Sequence, residues 1–243
     1  MCDPQILLLA WVSVLPALLG PDALLRGADA PWHVLEEGVL HVRAVVQERD
    51  AQSTESVLDV YVRGVDHTLC VFREGPLTGR RILTVRDRVW LILPHTTHPI
   101  RISANQRLLG GASITDVARL RLADDFSATR DPEVERIDGV ACHTLRLKAR
   151  SPRAAYSSGT LWVGTADGLA RRARLSLPSG MEAKELRFLA YGDDAGRPVL
   201  RRLEIHHLLA AERGAVTTLE FLGYDSRAVA LEWFDPQRAR ELP

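Results

Sequence analysis

Histidine pairs are the most suggestive polar residues in this sequence of 243 residues. His95 and His98 flank two threonines, and His206 and His207 are adjacent. Histidines this close could share a zinc ion, but neither pair has the H-E-x-x-H spacing of a zinc enzyme. Pro99 also places the first pair in a loop. We therefore expect surface or strand-end histidines and no metal site.

Motifs for other kinds of catalysis are missing from the sequence. It contains no G-x-S-x-G elbow, no P-loop and no G-x-G-x-x-G string. Carboxylates do gather around Pro132, where they suggest a solvated turn more than an acid/base pair. These are Asp124, Asp125, Asp131, Glu133 and Glu135. The sequence therefore predicts neither an enzyme nor a cofactor.

The charge balance excludes a further class of protein. Lys and Arg number 31 and Asp and Glu number 31, so the formal net charge is zero. A nucleic-acid-binding protein needs a basic surface, so we expect no nucleic-acid partner. Some arginines alternate with apolar residues, which is typical of the solvent side of a strand; contact with anionic lipid headgroups is the alternative. They are Arg171, Arg172, Arg174, Arg201 and Arg202.

The N-terminal region has the pattern of an export signal. Residues 6–19 are apolar and uncharged, and as a helix they would span about 21 Å, less than the roughly 30 Å of a hydrocarbon core. Ala28 and Ala30 offer small residues for signal peptidase. We predict a signal peptide at 1–30 and a single exported domain at 31–243, with an uncleaved membrane anchor as the alternative.

Alternating apolar and polar residues predict strands through most of the chain. Residues 32–47 favour a helix, or a helix leading into a strand, and 115–122 favour a short helix within an insert at 104–122. Connectors rich in Gly, Pro and Asp separate the strands, as in an antiparallel meander. The predicted strands are 58–63, 68–72, 80–85, 88–93, 140–148, 159–164, 170–177, 182–191, 199–206 and 216–224.

Two cysteines remain after residue 30, Cys70 and Cys142. An exported chain could join them in a disulfide. Each lies in an apolar, strand-like run, however, where a free cysteine is a common small core residue. We expect two unpaired thiols.

A curved sheet with many apolar side chains and no reaction centre can enclose an apolar cavity. An acyl chain of about sixteen methylenes would gain about 12 kcal/mol there, at about 0.8 kcal/mol for each buried CH₂. The same side chains could instead fill a core. The residues alone leave both possibilities open.

Several short strings carry a resemblance to a known family. Residues 89–94 read V-W-L-I-L-P, residues 99–103 read P-I-R-I-S, and residues 106–113 read Q-R-L-L-G-G-A-S. Further matching strings lie at 65–72, 139–147, 156–163 and 217–221. In this order they resemble the outer-membrane lipoprotein-sorting protein family, the LolA/LolB-like group, and within it a poorly characterised branch.

The resemblance implies a mainly β fold: an incomplete antiparallel β-barrel of about eleven strands, with short lid helices over an apolar cavity. It also implies a ligand site, with Arg101 and Arg107 as candidates for a lid latch. The expected cavity-lining residues are Trp90, Ile92, Leu108, Leu109, Trp162, Phe188 and Phe221.

The resemblance further implies a monomeric periplasmic carrier that acts by binding. It would shelter the acyl chains of a lipid or lipoprotein between an inner-membrane transporter and an outer-membrane acceptor. The alternative is a non-catalytic envelope adaptor whose half-barrel is filled by its own side chains. An enzyme acting on an envelope ester or peptide through His95 or His98 is a third hypothesis.

Overall fold

One antiparallel sheet of thirteen strands dominates the computed structural model. The structure describes residues 18–48, 52–96, 98–103, 107–109, 112–113, 120–152, 154–209 and 214–239. The strands are β1 (Glu37–Gln47), β2 (Thr54–Arg63), β3 (His67–Glu74), β4 (Arg81–Val85), β5 (Arg88–Ile92), β6 (Ile100–Ile102), β7 (Arg107–Leu109), β8 (Ala112–Ser113), β9 (Phe126–Ile137), β10 (Val140–Ala149), β11 (Ser158–Gly164), β12 (Ala170–Ser176), β13 (Glu182–Asp194), β14 (Arg197–His207) and β15 (Val216–Asp225).

Two meanders meet at the centre of this sheet. The order is β6-β5-β4-β3-β2-β1-β15-β14-β13-β12-β11-β10-β9, so β1 pairs with β15, and β6 and β9 are the two edges. The sheet is therefore an open, incomplete barrel, with two more strands than expected. β7 and β8 form a separate two-stranded pair.

Helices are few and short. α1 (Pro21–Asp29) begins with a proline at its first turn, where the fixed φ of proline suits a helix, and Asp22 follows in that turn. A 3₁₀ turn (Ala30–Trp32) continues it, α2 (Leu122–Asp125) precedes β9, and a second 3₁₀ turn (Leu231–Phe234) follows β15. In the ranges given above, no helix is both long enough and apolar enough to cross a membrane.

The larger core cluster lies on one face of the sheet, which we call the inner face. Strands β1 to β5 and β9 to β15 all contribute side chains to it, among them Leu58, Phe72, Leu145 and Leu186. α1 covers part of this face with Leu24 and Leu25, which are 1% and 0% exposed, and its other buried residues include Ala28. α1 is thus part of the folded core.

A smaller cluster covers the opposite, outer face of β1 to β5. Residues 229–239 cross this face, and Val229 and Phe234 pack there against Tyr61, Leu69 and Leu83. Hydrogen bonds fix the segment: Arg63 donates to the Val229 carbonyl at 2.7 Å, and Arg81 donates to the Ala239 carbonyl. These strands consequently have apolar side chains on both faces.

All ten predicted strands are present, and the predicted meander is confirmed. Of the two expectations for residues 32–47, the helix leading into a strand is nearer to the structure. A 3₁₀ turn ends at Trp32 and β1 begins at Glu37, because Val42, Ala44 and Val46 alternate onto the inner face. The predicted turn around Pro132 is wrong. It is part of β9, which is an edge strand, and edge strands tolerate proline because one side of their backbone has no partner strand.

Cys70 and Cys142 are both buried and unpaired, as expected. Cys70 belongs to the inner cluster. Cys142 alternates with His143 and Leu145, which face inward, so its side chain lies on the outer face. The sheet itself separates the two thiols.

Candidate functional site

An apolar cavity opens at one end of the inner face, and we call it the mouth cavity. Four strands, β1, β2, β3 and β15, form its floor, and the irregular segments 32–35 and 120–121 form its walls. Its volume is about 50 Å³. The lining residues are Trp32, His33, Val34, Leu35, Leu40, Val42, Val60, Val62, Val65, Thr68, Leu120, Arg121, Leu219 and Phe221.

Strand register brings the apolar floor together. Leu40 of β1 lies opposite Val60 of β2, and Val42 lies opposite Phe221 of β15. Cross-strand partners point to the same face, so a single apolar surface results.

Gly38 permits the close approach of β1 and β15 beside this floor. Its φ is +150°, and a Cβ there would lie 2.3 Å from the carbonyl oxygen of Asp225. A side chain at residue 38 would therefore push the two strands apart next to the cavity.

Trp32 connects the cavity wall to the core. Its ring stacks on His33 with centroids 5.2 Å apart and meets Phe188 edge-on at 6.0 Å. α1 holds this wall in place, since the Asp22 carboxylate accepts the backbone N–H of Ala128 at 2.8 Å. The wall thus depends on a helix and a turn rather than on paired strands.

A buried acid, Asp29, lies behind the same wall beside the partly buried His33. Asp29 Oδ1 is 3.6 Å from His33 Nε2, and Asp29 Oδ2 accepts the Ala123 N–H at 3.2 Å. Burial raises the pKa of Asp29 to about 7, against the backbone hydrogen bonds from Ala123 and Leu122. Burial likewise lowers the pKa of His33 to about 3, and the Arg121 charge adds to this. Both groups are therefore neutral in mildly acidic solution.

The size of the mouth cavity limits what it holds in this conformation. Ligand pockets usually measure about 300–1,000 Å³. At about 50 Å³ the cavity admits a water molecule or two but no acyl chain. A larger ligand would have to displace the 32–35 or 120–121 segment.

Two of the seven predicted cavity residues lie at or next to this site. Phe221 lines the cavity, and Phe188 packs against the Trp32 ring. Both belong to the inner cluster.

Three other predicted residues lie on the outer face. Trp90 and Ile92 belong to the smaller cluster, because on β5 it is Val89 and Leu91 that point inward. Trp162 alternates with Leu161 and Val163 of the inner cluster, and the Arg174 guanidinium lies 6.0 Å from its ring. None of the three lines the mouth cavity.

Neither latch candidate can be placed at the mouth cavity. Arg101 is exposed on the edge strand β6 opposite Trp90, so it shares the outer face. Arg107 belongs to β7, as do the predicted cavity residues Leu108 and Leu109. The side chains of β7 lie outside the described residues.

The outer-face arginines are matched by carboxylates. Arg172 pairs with Asp138 at 3.0 Å, and Arg202 pairs with Glu220 at 3.2 Å. Glu185 accepts from Arg174 at 2.8 Å and from Arg187 at 2.7 Å. Burial would raise the pKa of Glu185, but these hydrogen bonds outweigh it and lower that pKa. These four arginines are therefore held by carboxylates rather than free for lipid headgroups.

The adjacent histidines of β14 point to opposite faces. His206 Nε2 lies 2.8 Å from Glu204, while His207 Nδ1 lies 2.7 Å from the buried Lys184 Nζ. Among the described residues, no three His, Cys, Asp or Glu side chains are grouped to hold a metal ion.

Sequence reasoning missed the polar groups behind the cavity wall. Asp29 lies in the segment expected to be removed, and His33 and Arg121 are single residues without a motif. Lys184, which is 7% exposed, was likewise missed in the strand pattern. A signal for α1 did exist in Pro21 and Asp22, a helix start after the apolar run.

Most of the chain matches the model of a protein family. The model of a family described as "uncharacterized protein" matches residues 64–237. Comparison with curated proteins gives no match. Solved structures, in contrast, match almost the whole chain.

Three such structures have the same fold. A LolA superfamily protein from Nitrosomonas europaea is 22% identical with a TM-score of 0.79, covering 89% of this chain and 98% of its own. A DUF1329 family protein from Desulfovibrio piger is 17% identical, with a TM-score of 0.74 and coverage of 89% and 98%. An outer membrane lipoprotein-sorting protein domain from Vibrio parahaemolyticus is 13% identical, with a TM-score of 0.74 and coverage of 90% and 98%.

Proposed function

We propose that this chain binds the acyl chain of a lipid or lipoprotein on the inner face of its LolA-like sheet. The premise is that the chain belongs to the family of uncharacterized proteins whose model matches residues 64–237. Binding takes place without catalysis. The chain acts as a carrier in the cell envelope, where it receives acylated cargo from one membrane and delivers it to the other.

The apolar mouth cavity on the inner face is the observation that carries this proposal. Eleven of its fourteen lining residues are apolar, and it borders the large inner core. An acyl chain entering there would replace contacts between side chains by contacts with its own methylenes. Each CH₂ taken from water contributes about 0.8 kcal/mol of favourable binding free energy. The description of the Vibrio parahaemolyticus domain as lipoprotein-sorting supports the same cargo class.

Entry of the cargo requires the cavity to open. Its floor consists of paired strands, whereas its walls at 32–35 and 120–121 lie outside the strands of the sheet. The walls are therefore the parts that move at the smallest cost.

Export of the carrier would use the apolar segment at 6–19. The boundary expected after Ala30 would remove α1 together with the buried Leu24 and Leu25. We therefore place any cleavage before Pro21, so that α1 stays with the domain.

A matched pair of variants tests the binding site. Leu40→Trp fills the mouth cavity from β1, whereas Leu222→Trp makes the same change on β15 at a side chain that is 51% exposed. Binding of a palmitoylated fluorescent peptide is followed by anisotropy, and folding by circular dichroism. We expect Leu40→Trp to weaken binding at least about tenfold and Leu222→Trp to leave it within about twofold. Undiminished binding by folded Leu40→Trp would contradict the site.

The small volume of the cavity favours one alternative function. A filled half-barrel would suit a non-catalytic adaptor that docks on an envelope complex. In that case the wild-type chain binds no acylated peptide, and both tryptophan variants behave alike.

A further inference from the structure

We propose that the mouth cavity takes an amphiphile with a single acyl chain and a carboxylate head, and that Arg121 binds the carboxylate. A long-chain fatty acid is the simplest ligand of this class. The inference rests on the proposed function, because it assigns a head-group partner to the same acyl site.

The first observation is the charge of the residues that line the mouth cavity. Its polar residues are His33, Thr68 and Arg121, and none of its fourteen described lining residues is a carboxylate. The cavity thus combines apolar walls with one permanent positive charge. Such a surface is complementary to an apolar chain that ends in an anion.

Arg121 is available to a ligand. Within the described part of the chain no carboxylate lies within salt-bridge distance of its guanidinium, whereas Arg172 pairs with Asp138 at 3.0 Å. The neighbouring Asp125 accepts the backbone N–H of Arg121 at 3.3 Å, which fixes the main chain at the cavity wall. The buried Asp29, with a pKa of about 7, is largely neutral below pH 7 and does not cancel the charge.

The chemistry of the two groups selects the head. A guanidinium presents two parallel N–H donors that match the two oxygens of a carboxylate. His33 is uncharged because burial lowers its pKa to about 3, so it adds no second cation for a doubly charged head. The volume of about 50 Å³ also favours one chain over two, since each added chain requires further displacement of the walls.

The test compares palmitic acid with its methyl ester as competitors for the palmitoylated fluorescent peptide. The ester keeps the chain and removes the charge. Three proteins are compared: the wild type, Arg121→Gln, and Arg101→Gln, which removes an exposed arginine on β6. We expect the wild type to bind the acid about ten- to a hundredfold tighter than the ester. Arg121→Gln should reduce this ratio to about two, and Arg101→Gln should keep it.

Each outcome separates the inference from the proposed function. Equal competition by acid and ester in the wild type overturns the role of Arg121, while binding of the peptide itself still supports the acyl site. The comparison on the wild type needs no variant to fold. Failure of the wild type to bind the peptide, the acid or the ester overturns both proposals.

Discussion

Removing either member of the buried Asp29–His33 pair should give the stability of this protein a new pH dependence. Oδ1 of the Asp29 carboxyl group lies 3.6 Å from Nε2 of the His33 imidazole. Burial raises the pKa of Asp29 and lowers the pKa of His33. We compare Asp29→Asn and His33→Gln with the wild type. Each substitution keeps a polar side chain of similar size and removes one titration.

The sign for each group follows from its folded and unfolded pKa values. Asp29 goes from 3.8 when unfolded to about 7 when folded, so its contribution is complete below 3.8 and is lost as the pH rises through about 7. His33 goes from 6.5 to about 3, so its contribution is complete above 6.5 and is lost as the pH falls toward 3. Between about pH 4 and 6.5 the two slopes cancel in the wild type.

Single substitutions remove this cancellation. Each slope is about 1.4 kcal/mol for each pH unit, so it amounts to about 3 kcal/mol between pH 4 and 6.5. Relative to the wild type, Asp29→Asn should gain about 3 kcal/mol of unfolding free energy as the pH rises over this range. His33→Gln should lose a similar amount.

Urea unfolding followed by circular dichroism at pH 4.5, 5.5 and 6.5 measures these differences. The control is Asp87→Asn, because Asp87 is exposed in the turn between β4 and β5 and is not among the charges that shift the pKa of Asp29 or His33. Parallel curves for the wild type and both variants would refute the reasoning, since they would mean that water reaches Asp29 and His33.

Three further outcomes follow from the packing. A chain that begins at residue 20 should fold. A chain that begins at residue 31 lacks Leu24 and Leu25 and should lose about 4–10 kcal/mol of unfolding free energy. Equal thermal melts of the two chains would contradict the place of α1 in the core. Gly38→Ala should cost about 1–3 kcal/mol through backbone strain, measured by urea unfolding, and a neutral result would exclude the tight β1–β15 approach. Leu145→Ala should cost about 2–5 kcal/mol, while Val134→Ala, at a 54% exposed site, should stay within about 0.5 kcal/mol; similar losses would contradict the assigned core.

Most strands could be predicted from the sequence because their apolar and polar side chains alternate with period two. Val42, Ala44 and Val46 of β1 follow this rule, but Trp32 and Leu35 upstream recur at helical spacing and obscured the start of the strand. β9 was missed for a different reason. Its edge position leaves both faces largely in water, so residues 129–136 carry no apolar alternation.

The candidate site was harder to predict because alternation does not say which face is inner. Trp90 and Ile92 are large and apolar, but they face residues 229–239, a segment more than one hundred positions away that covers the outer face. Phe221 lies on the inner face of β15 and lines the mouth cavity, and its role in ligand binding stays a prediction. Arg121 and His33 gain their setting from tertiary contacts that no local pattern encodes.

Native mass spectrometry of the protein purified gently from its own cells tests the acyl-binding proposal most directly. We predict an added mass that dissociates as a fatty acid, a lipid or an acylated peptide, and that is lost in Leu40→Trp but retained in Leu222→Trp. A clean unliganded mass for the wild type, unchanged after incubation with lipid vesicles, would contradict acyl binding and favour the adaptor.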